Sequence, residues 1–253
     1  MTTVGEVRDF LLEKAPLDQK EEWDNVGLLC GRANAAVHGI LVSLDVTKDV
    51  LSEAKELGYD LVVSHHPMLF GEIREVNDGS VTGELLLTAA EAGIACVNCH
   101  TNLDKADGGV NDVLAQAIGL RVIGKAGEYL RFGNVEKNDA ESFARKVKEK
   151  LNCPGLRWAD GGRPVQIVAV GGGACADEMD EALDAGCDTL VTADVKYHQF
   201  LEAAARGLNL FDAGHFQTEN PICRVLADWL RGAFPDLPCA VSQRHGDVIR
   251  FLT

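Results

Sequence analysis

Six residues of this 253-residue chain belong to the types that bind transition metals, and they follow apolar runs. Two of them are the adjacent pair after residues 61–64. If that run is a strand, its side chains alternate between two faces, so two neighbouring histidines can converge only where the strand ends. Pro67 ends it, because proline has no N–H for a sheet ladder and favours an extended residue before it. The six candidates are His65, His66, His100, Asp104, His215 and Glu219.

Imidazole and carboxylate groups together suit zinc, manganese or iron, and carboxylates can bridge two ions that lie roughly 3.5–4 Å apart. Glu219 follows His215 by four residues, so a helix beginning there would place both side chains on one face. The alternative is that some of the six are surface or capping groups, and Asp104 could cap a turn. Six ligand-type residues at predicted strand ends favour a two-metal site.

Alternating strands and helices must position these residues. Residues 39–44 predict a buried strand ending at Asp45, residues 47–57 a helix that Gly58 ends, and residues 61–64 the next strand. This is a βαβ unit, and ligands of open α/β sheets bind at the carboxyl ends of the strands. The pattern predicts an α/β fold. The strands expected to carry the other candidates are 94–99, 189–192 and 208–212.

The chain repeats this plan, which predicts two related βαβ-rich halves with a dinuclear metal site in the cleft between them. Gly58-Tyr59-Asp60 matches Gly186-Cys187-Asp188, and the spacing of His100 and Asp104 matches that of His215 and Glu219. We expect residues 1–125 to carry His65, His66, His100 and Asp104, and residues 126–253 to carry His215 and Glu219. The C-terminal part could pack with the first half.

Other segments complete the expected fold. Thr3 and Glu6 have the spacing of a capping box before a helix that Pro16 ends. Residues 141–151 predict an amphipathic helix, residues 154–164 a glycine-rich loop, and residues 248–251 a closing strand. Gly171, Gly172 and Gly173 follow a strand as in a dinucleotide fingerprint, but acidic residues follow where pyrophosphate would lie. A tight strand-to-helix turn explains these glycines better.

Composition narrows the function classes. With 24 basic and 39 acidic residues the formal charge is −15, so a nucleic-acid backbone would be repelled. No stretch has the length of a transmembrane helix, and the N-terminus lacks signal-peptide features, which predicts a cytoplasmic protein without membrane partners. The eight cysteines are scattered through apolar segments, as buried reduced thiols are. Cys96 and Cys99 would point to opposite faces of a strand, so we expect both to be buried and not to chelate together.

Several ordered motifs resemble one protein family. They are Trp-Asp-Asn-Val-Gly (23–27), Ser-His-His-Pro-Met-Leu-Phe (64–70), His-Thr-Asn-Leu-Asp (100–104), Gly-Gly-Val-Asn-Asp (108–112), Thr-Ala-Asp-Val-Lys-Tyr-His (192–198) and Gly-His-Phe-Gln-Thr-Glu (214–219). Together they resemble the dinuclear-metal-centre family of GTP cyclohydrolase I type 2 homologues, also called the NGG-interacting-factor-like family. One departure is Ala193, where relatives usually have glycine; it concerns the local loop geometry near Asp194 and not metal binding.

The resemblance implies a two-domain α/β protein that assembles into a toroidal homohexamer and binds two divalent transition-metal ions per chain. The positions that match the family's ligands are His65, His66, Asp104, His215 and Glu219. His100 would lie beside them, as a further ligand or as a catalytic proton-transfer group. The segment 23–27 is either a wall of the pocket or a packed loop.

The activity implied by the resemblance is metal-dependent hydrolysis of GTP or a related purine nucleotide, with attack at C8, ring opening and release of formate. The metal could be zinc, manganese or iron. Two alternatives remain open: a metal-handling protein that delivers ions without turnover, and a hexameric scaffold whose metals stabilise the fold.

Overall fold

The computed structural model describes residues 1–252, which form two compact units. The first unit combines residues 1–107 with 222–246, and the second combines residues 108–221 with the C-terminal residues from Asp247. This division differs from the predicted halves, 1–125 and 126–253. A boundary at residue 125 would cut a strand that is paired with the next strand in a hairpin. The segment 222–246 belongs to the first unit because one of its strands joins that unit's sheet.

Ten α-helices lie within residues 1–252, and none of them is long and apolar enough to cross a bilayer. The helices are α1 (Val4–Lys14), α2 (Lys48–Leu57), α3 (Val81–Ala92), α4 (Thr101–Lys105), α5 (Val110–Ile118), α6 (Ala140–Lys150), α7 (Met179–Asp184), α8 (Tyr197–Ala205), α9 (His215–Glu219) and α10 (Pro221–Ala233). The strands are β1 (Gly27–Cys30), β2 (Ile40–Ser43), β3 (Leu61–Ser64), β4 (Ala95–Asn98), β5 (Arg121–Ala126), β6 (Leu130–Asn138), β7 (Arg157–Ala159), β8 (Val165–Val170), β9 (Thr189–Thr192), β10 (Asn209–Asp212) and β11 (Cys239–Val241).

The first unit contains a five-stranded sheet with the order β1-β4-β3-β2-β11. Strands β4, β3, β2 and β11 run parallel, and β1 is antiparallel to β4. Strands β2, β3 and β4 are buried throughout, as expected for parallel strands covered on both faces. The register pairs Ser43 with Ser64 and Ser64 with Asn98. The residues that follow these three positions therefore meet at one edge of the sheet.

The second unit contains a six-stranded sheet with the order β5-β6-β8-β9-β10-β7. Its centre, β8-β9-β10, is parallel, and the outer strands are antiparallel. Alternate side chains enter two separate cores: Val191 and Phe211 pack on one face, and Leu190 and Leu210 on the other. This period of two is the pattern of a sheet covered by helices on both sides. The α/β fold predicted from the sequence is confirmed.

Two local predictions are wrong. Residues 248–251 were expected to form a closing strand, but they have no strand structure, and the Asp247 carboxylate accepts a hydrogen bond from the N–H of Ile249 at 2.8 Å instead. Such a side-chain bond two residues ahead favours a turn over a strand. The predicted loop 154–164 contains β7, which pairs with β10 and forms a sheet edge. The capping box of Thr3 and Glu6 is confirmed at the start of α1.

All eight cysteines lie within the described residues, and none forms a disulfide. Cys96 and Cys99 are buried in and directly after β4. Burial raises the pKa of both thiols, that of Cys99 to about 12. Since thiolate is the metal-binding form, these two residues are poor ligands. The prediction that Cys96 and Cys99 are buried is confirmed, whereas Cys30, Cys175 and Cys239 are half-buried.

Candidate metal centre

Three histidines form a cluster in the first unit. His65 and His66 follow β3 directly, and His100 follows β4 one residue after Cys99. Their ring centroids lie 4.9 Å (His65 to His66), 5.3 Å (His65 to His100) and 5.6 Å (His66 to His100) apart. One nitrogen from each ring lies within 4.8 Å of the other two, so the three side chains could hold a metal ion.

The Nδ1 atom of each clustered histidine is held by an oxygen that can only accept a hydrogen bond. His65 Nδ1 lies 2.8 Å from the carbonyl oxygen of Cys99, and His66 Nδ1 lies 2.7 Å from Oδ1 of Asp45. A neutral ring that donates from Nδ1 has its lone pair on Nε2. Metal-binding histidines are usually oriented in this way, by a carbonyl or carboxylate on the other nitrogen. These contacts therefore assign the lone pair that could bind a metal ion to Nε2 of each ring.

Asp24 holds the third ring. Its Oδ1 lies 2.9 Å from His100 Nδ1, and its other oxygen accepts hydrogen bonds from the N–H and the hydroxyl of Thr101. Burial raises the pKa of Asp24, but the bonds from His100 and Thr101 outweigh it and bring the pKa down to about 2. Asp24 is therefore ionised at neutral pH. It reaches His100 because β1 runs antiparallel to β4, so the residues before β1 lie beside the end of β4.

Asp45 links two histidines. One oxygen contacts His66, and the other lies 2.9 Å from Nε2 of His245. Burial raises the pKa of Asp45, but the bonds from His245 and His66 lower it well below its usual range. His245 is placed there by the segment after β11, which Glu53 anchors by accepting hydrogen bonds from the backbone of Gln243 and Arg244. Asp45 is thus fixed from both sides.

Replacing Asp45 with alanine is expected to weaken metal binding by about 10- to 100-fold, the usual effect of losing the partner that orients a ligating histidine. The His66 ring would lose its hydrogen-bond acceptor and could rotate. Competition for Zn²⁺ against a chromophoric chelator measures the affinity. Asp49→Ala, which removes an exposed carboxylate four residues away, is the matched control. Equal affinities of Asp45→Ala and the control would contradict this role.

Asp104 lies on α4 and extends the cluster. Its Oδ1 is 3.5 Å from His65 Nε2, and the residue is buried. This separation is long for a hydrogen bond. Two atoms bound to one zinc ion at about 2.0–2.2 Å, in tetrahedral geometry, would lie about 3.4 Å apart. The spacing of the His65 and Asp104 donor atoms therefore fits two ligands of a common ion.

The second unit holds another imidazole and carboxylate pair. Helix α9 begins at His215 and contains Glu219, so the expected helical spacing is present, and His215 Nε2 lies 2.9 Å from Glu219 Oε2. His215 Nδ1 lies 2.7 Å from Oδ2 of Asp194. Asp194 follows β9, and its φ of 52° is a left-handed value that aspartate adopts more readily than most residues. Asp194 therefore orients His215 as Asp45 orients His66.

Gly173 has no side chain, which leaves space for the side chains of Glu219 and His215. A Cβ atom at this position would lie 2.2 Å from Oε1 of Glu219 and 3.2 Å from Nε2 of His215, and its φ is +62°. The N–H of Gly172 donates to Asn111, and that of Gly173 donates to Thr218, so both groups are already used within the protein. The glycine run is a tight turn, as the sequence predicted, and it lets His215 and Glu219 approach the backbone. It is not arranged to bind a phosphate.

The structure brings the predicted residues together within each unit. His65, His66, His100 and Asp104 meet in the first, and His215 meets Glu219 in the second. The sequence pattern did not indicate the orienting roles of Asp24, Asp45 and Asp194, or the contact of His245 with Asp45. Asp45 was detectable, because it stands two residues after β2 as His66 stands two residues after β3, and the two strands pair in register.

The sequence is similar to a set of bacterial proteins over almost its whole length. It is 31% identical to a protein of Clostridium acetobutylicum named GTP cyclohydrolase 1 type 2 homolog, with 98% of each chain covered. A Streptomyces coelicolor protein of the same name is 32% identical, over 97% of this chain and 89% of the relative. A Helicobacter pylori protein named GTP cyclohydrolase 1 type 2 is 29% identical, over 91% of this chain and 92% of the relative.

Solved structures support the same relationship at the level of the fold. A Staphylococcus aureus protein superimposes with a TM-score of 0.91 at 24% identity, covering 99% of both chains. A Bacillus cereus protein related to NIF3 superimposes with a TM-score of 0.91 at 22% identity, covering 100% of this chain and 99% of the other. Residues 2–247 match the family model Duf34/NIF3 (NGG1p interacting factor 3), and the chain therefore belongs to the Duf34/NIF3 family.

Proposed function

We propose that the chain binds two divalent transition-metal ions, zinc, manganese or iron. The ligands would be His65, His66, Asp104, His215 and Glu219. The observation that carries this proposal is the orientation of the histidines. An oxygen acceptor holds Nδ1 in each of His65, His66 and His215. This contact orients Nε2 to bind a metal ion. The carboxylates near these nitrogens supply the negative charge that a divalent cation needs.

The reaction proposed for this centre is hydrolysis of GTP or a related purine nucleotide, with opening of the ring at C8 and release of formate. The names of the Clostridium, Streptomyces and Helicobacter relatives support this substrate class. When bound, the ions would supply Lewis-acid activation of water and substrate. His100 would move protons through Nε2, because ionised Asp24 holds its Nδ1.

Formate release tests this activity. Protein loaded with zinc, manganese or iron should release formate from GTP, a chelator should stop the reaction, and the added metal should restore it. Protein that binds zinc, manganese and iron but releases no formate with any of them would contradict the hydrolase proposal. That result would support metal handling without turnover.

We also propose a homohexamer, on the basis of the family resemblance. The formal charge of −15 means that subunit contacts must be apolar or locally paired, since like-charged surfaces repel. Light scattering at micromolar concentration should give about six times the 27.2 kDa mass of one chain. A monomer mass would contradict this prediction.

A further inference from the structure

Two large aromatic side chains next to the histidine cluster are exposed. Trp23 exposes 63% of its surface and Phe70 exposes 65%. Large aromatic groups are usually buried, and exposed ones that gather beside polar groups mark binding surfaces. We infer that Trp23 and Phe70 form a binding site for a planar, fused heteroaromatic ring of the purine type. This inference rests on the proposed function and deepens it, because it names the residues that would recognise the base.

Both side chains surround the same imidazole. The ring of Trp23 lies 6.1 Å from that of His100, with an angle of 76° between the planes, and Phe70 lies 5.8 Å from it at 88°. These are edge-to-face contacts. A ligand ring that packs on Trp23 or Phe70 is therefore placed beside His100 and the histidines that adjoin it. The aromatic pair and His100 are positioned to contact one ligand.

The two aromatic residues are held in place before a ligand binds. Trp23 and Phe70 lie on different loops, and Asn25 joins these loops by donating to the carbonyl oxygens of Leu69 at 3.0 Å and Gly71 at 3.2 Å, on either side of Phe70. The carbonyl of Asn25 in turn accepts a bond from the side chain of Asn98, at the end of β4, at 2.9 Å. Because these loops are ordered by folding, the ligand does not have to order them.

The chemistry of these residues selects the base and not the phosphate. Trp23 and Phe70 offer flat apolar faces and carry no cationic group, so neither side chain can pair with a phosphate. Stacking on aromatic side chains uses the π face that every nucleobase has. A purine, with two fused rings, offers more of this face than a pyrimidine or a sugar. A nucleotide would thus be recognised here through its ring.

Calorimetric titration of metal-loaded protein tests the inference, with GMP and ribose 5-phosphate as a pair of ligands that differ only by the base. Trp23→Leu and Phe70→Leu should each weaken GMP binding by roughly 5- to 150-fold, the range for loss of one base stack. Trp23→Phe and Phe70→Tyr should retain binding within about threefold. Ribose 5-phosphate should bind more weakly to wild-type protein and be indifferent to all four changes.

Trp158→Leu is the matched control, because Trp158 is also an exposed tryptophan, at 43%, but lies on β7 of the other unit. It should leave GMP binding unchanged. Metal content must be equal in all variants. Wild-type affinity for GMP in both leucine variants would overturn the inference. Equal binding of GMP and ribose 5-phosphate by wild-type protein would also overturn the inference. If the leucine variants then dissociate in light scattering, Trp23 and Phe70 are subunit contacts instead.

The formate assay separates this inference from the proposed activity. If GMP binding depends on Trp23 and Phe70 but no metal gives formate release from GTP, the aromatic site stands and the hydrolase proposal fails. If wild-type protein and both leucine variants release formate from GTP with the same kcat/KM, the hydrolase proposal stands and the aromatic site fails.

Discussion

Replacing Asp104 with alanine is expected to remove at least one of the two metal ions that we propose the protein binds. Asp104 places a carboxylate oxygen 3.5 Å from His65 Nε2, a spacing suited to two ligands of one ion. Loss of an orienting partner lowers metal affinity by about 10- to 100-fold. Loss of a direct ligand should lower it further. Elemental analysis after gel filtration gives the number of ions per chain.

The fold should tolerate this change better than the metal site does. Asp104 lies on the short helix α4, and the sheet core of the first unit does not include it. The thermal midpoints of the variant and of wild-type protein should therefore be similar when both are measured in chelator. Asp9→Ala removes an exposed carboxylate from α1 and serves as the control for metal content. Wild-type metal content in Asp104→Ala would refute the assignment of Asp104 as a ligand.

Replacing His100 with alanine is expected to lower kcat for formate release by about 10²- to 10⁴-fold, the usual contribution of a general acid or base. His100 adjoins His65 and His66, and Asp24 fixes its Nδ1. If it transfers protons and is not a ligand, the variant should retain two metal ions per chain. Turnover and metal content are measured on the same preparation.

His38 provides a matched control for this experiment. Its Nδ1 also pairs with an aspartate, Asp60, at 2.5 Å. Asp60 precedes β3 whereas His65 follows it, so this pair lies at the opposite end of the strand from the histidine cluster. His38→Ala should therefore leave turnover unchanged. Equal turnover of His100→Ala and His38→Ala would remove His100 from the mechanism. Loss of metal from His100→Ala would instead make His100 a ligand.

The elements that a local pattern of apolar residues and glycines encodes could be predicted from the sequence. The helix at 48–57 ends at Gly58 as expected, with a φ of 70° that glycine adopts without strain. Strands β3 and β9 are short apolar runs, and both lie where the sequence predicted them. Because parallel strands end at the same sheet edge, the predicted strand ends also predicted the clustering of His65, His66 and His100.

The remaining features depend on contacts between distant parts of the chain. Hairpin strands β5 and β6 are partly exposed and mixed in polarity, so no apolar run marks them. Asp24 reaches His100 through the antiparallel pairing of β1 with β4, and His245 reaches Asp45 only because Glu53 anchors the segment after β11. Nothing in the local spacing of these residues indicates such pairings. Asp45 could have been recognised from its position after β2, but Asp24 and His245 could be placed only once the pairing of distant segments was known.

The most direct test of the metal-binding proposal is elemental analysis of wild-type protein that has been purified without chelator and then passed over a desalting column. Two transition-metal ions per chain are expected, and the number should fall in His65→Ala, His66→Ala, Asp104→Ala, His215→Ala and Glu219→Ala. A wild-type protein that retains no metal, even after incubation with zinc, manganese or iron, would contradict the proposal.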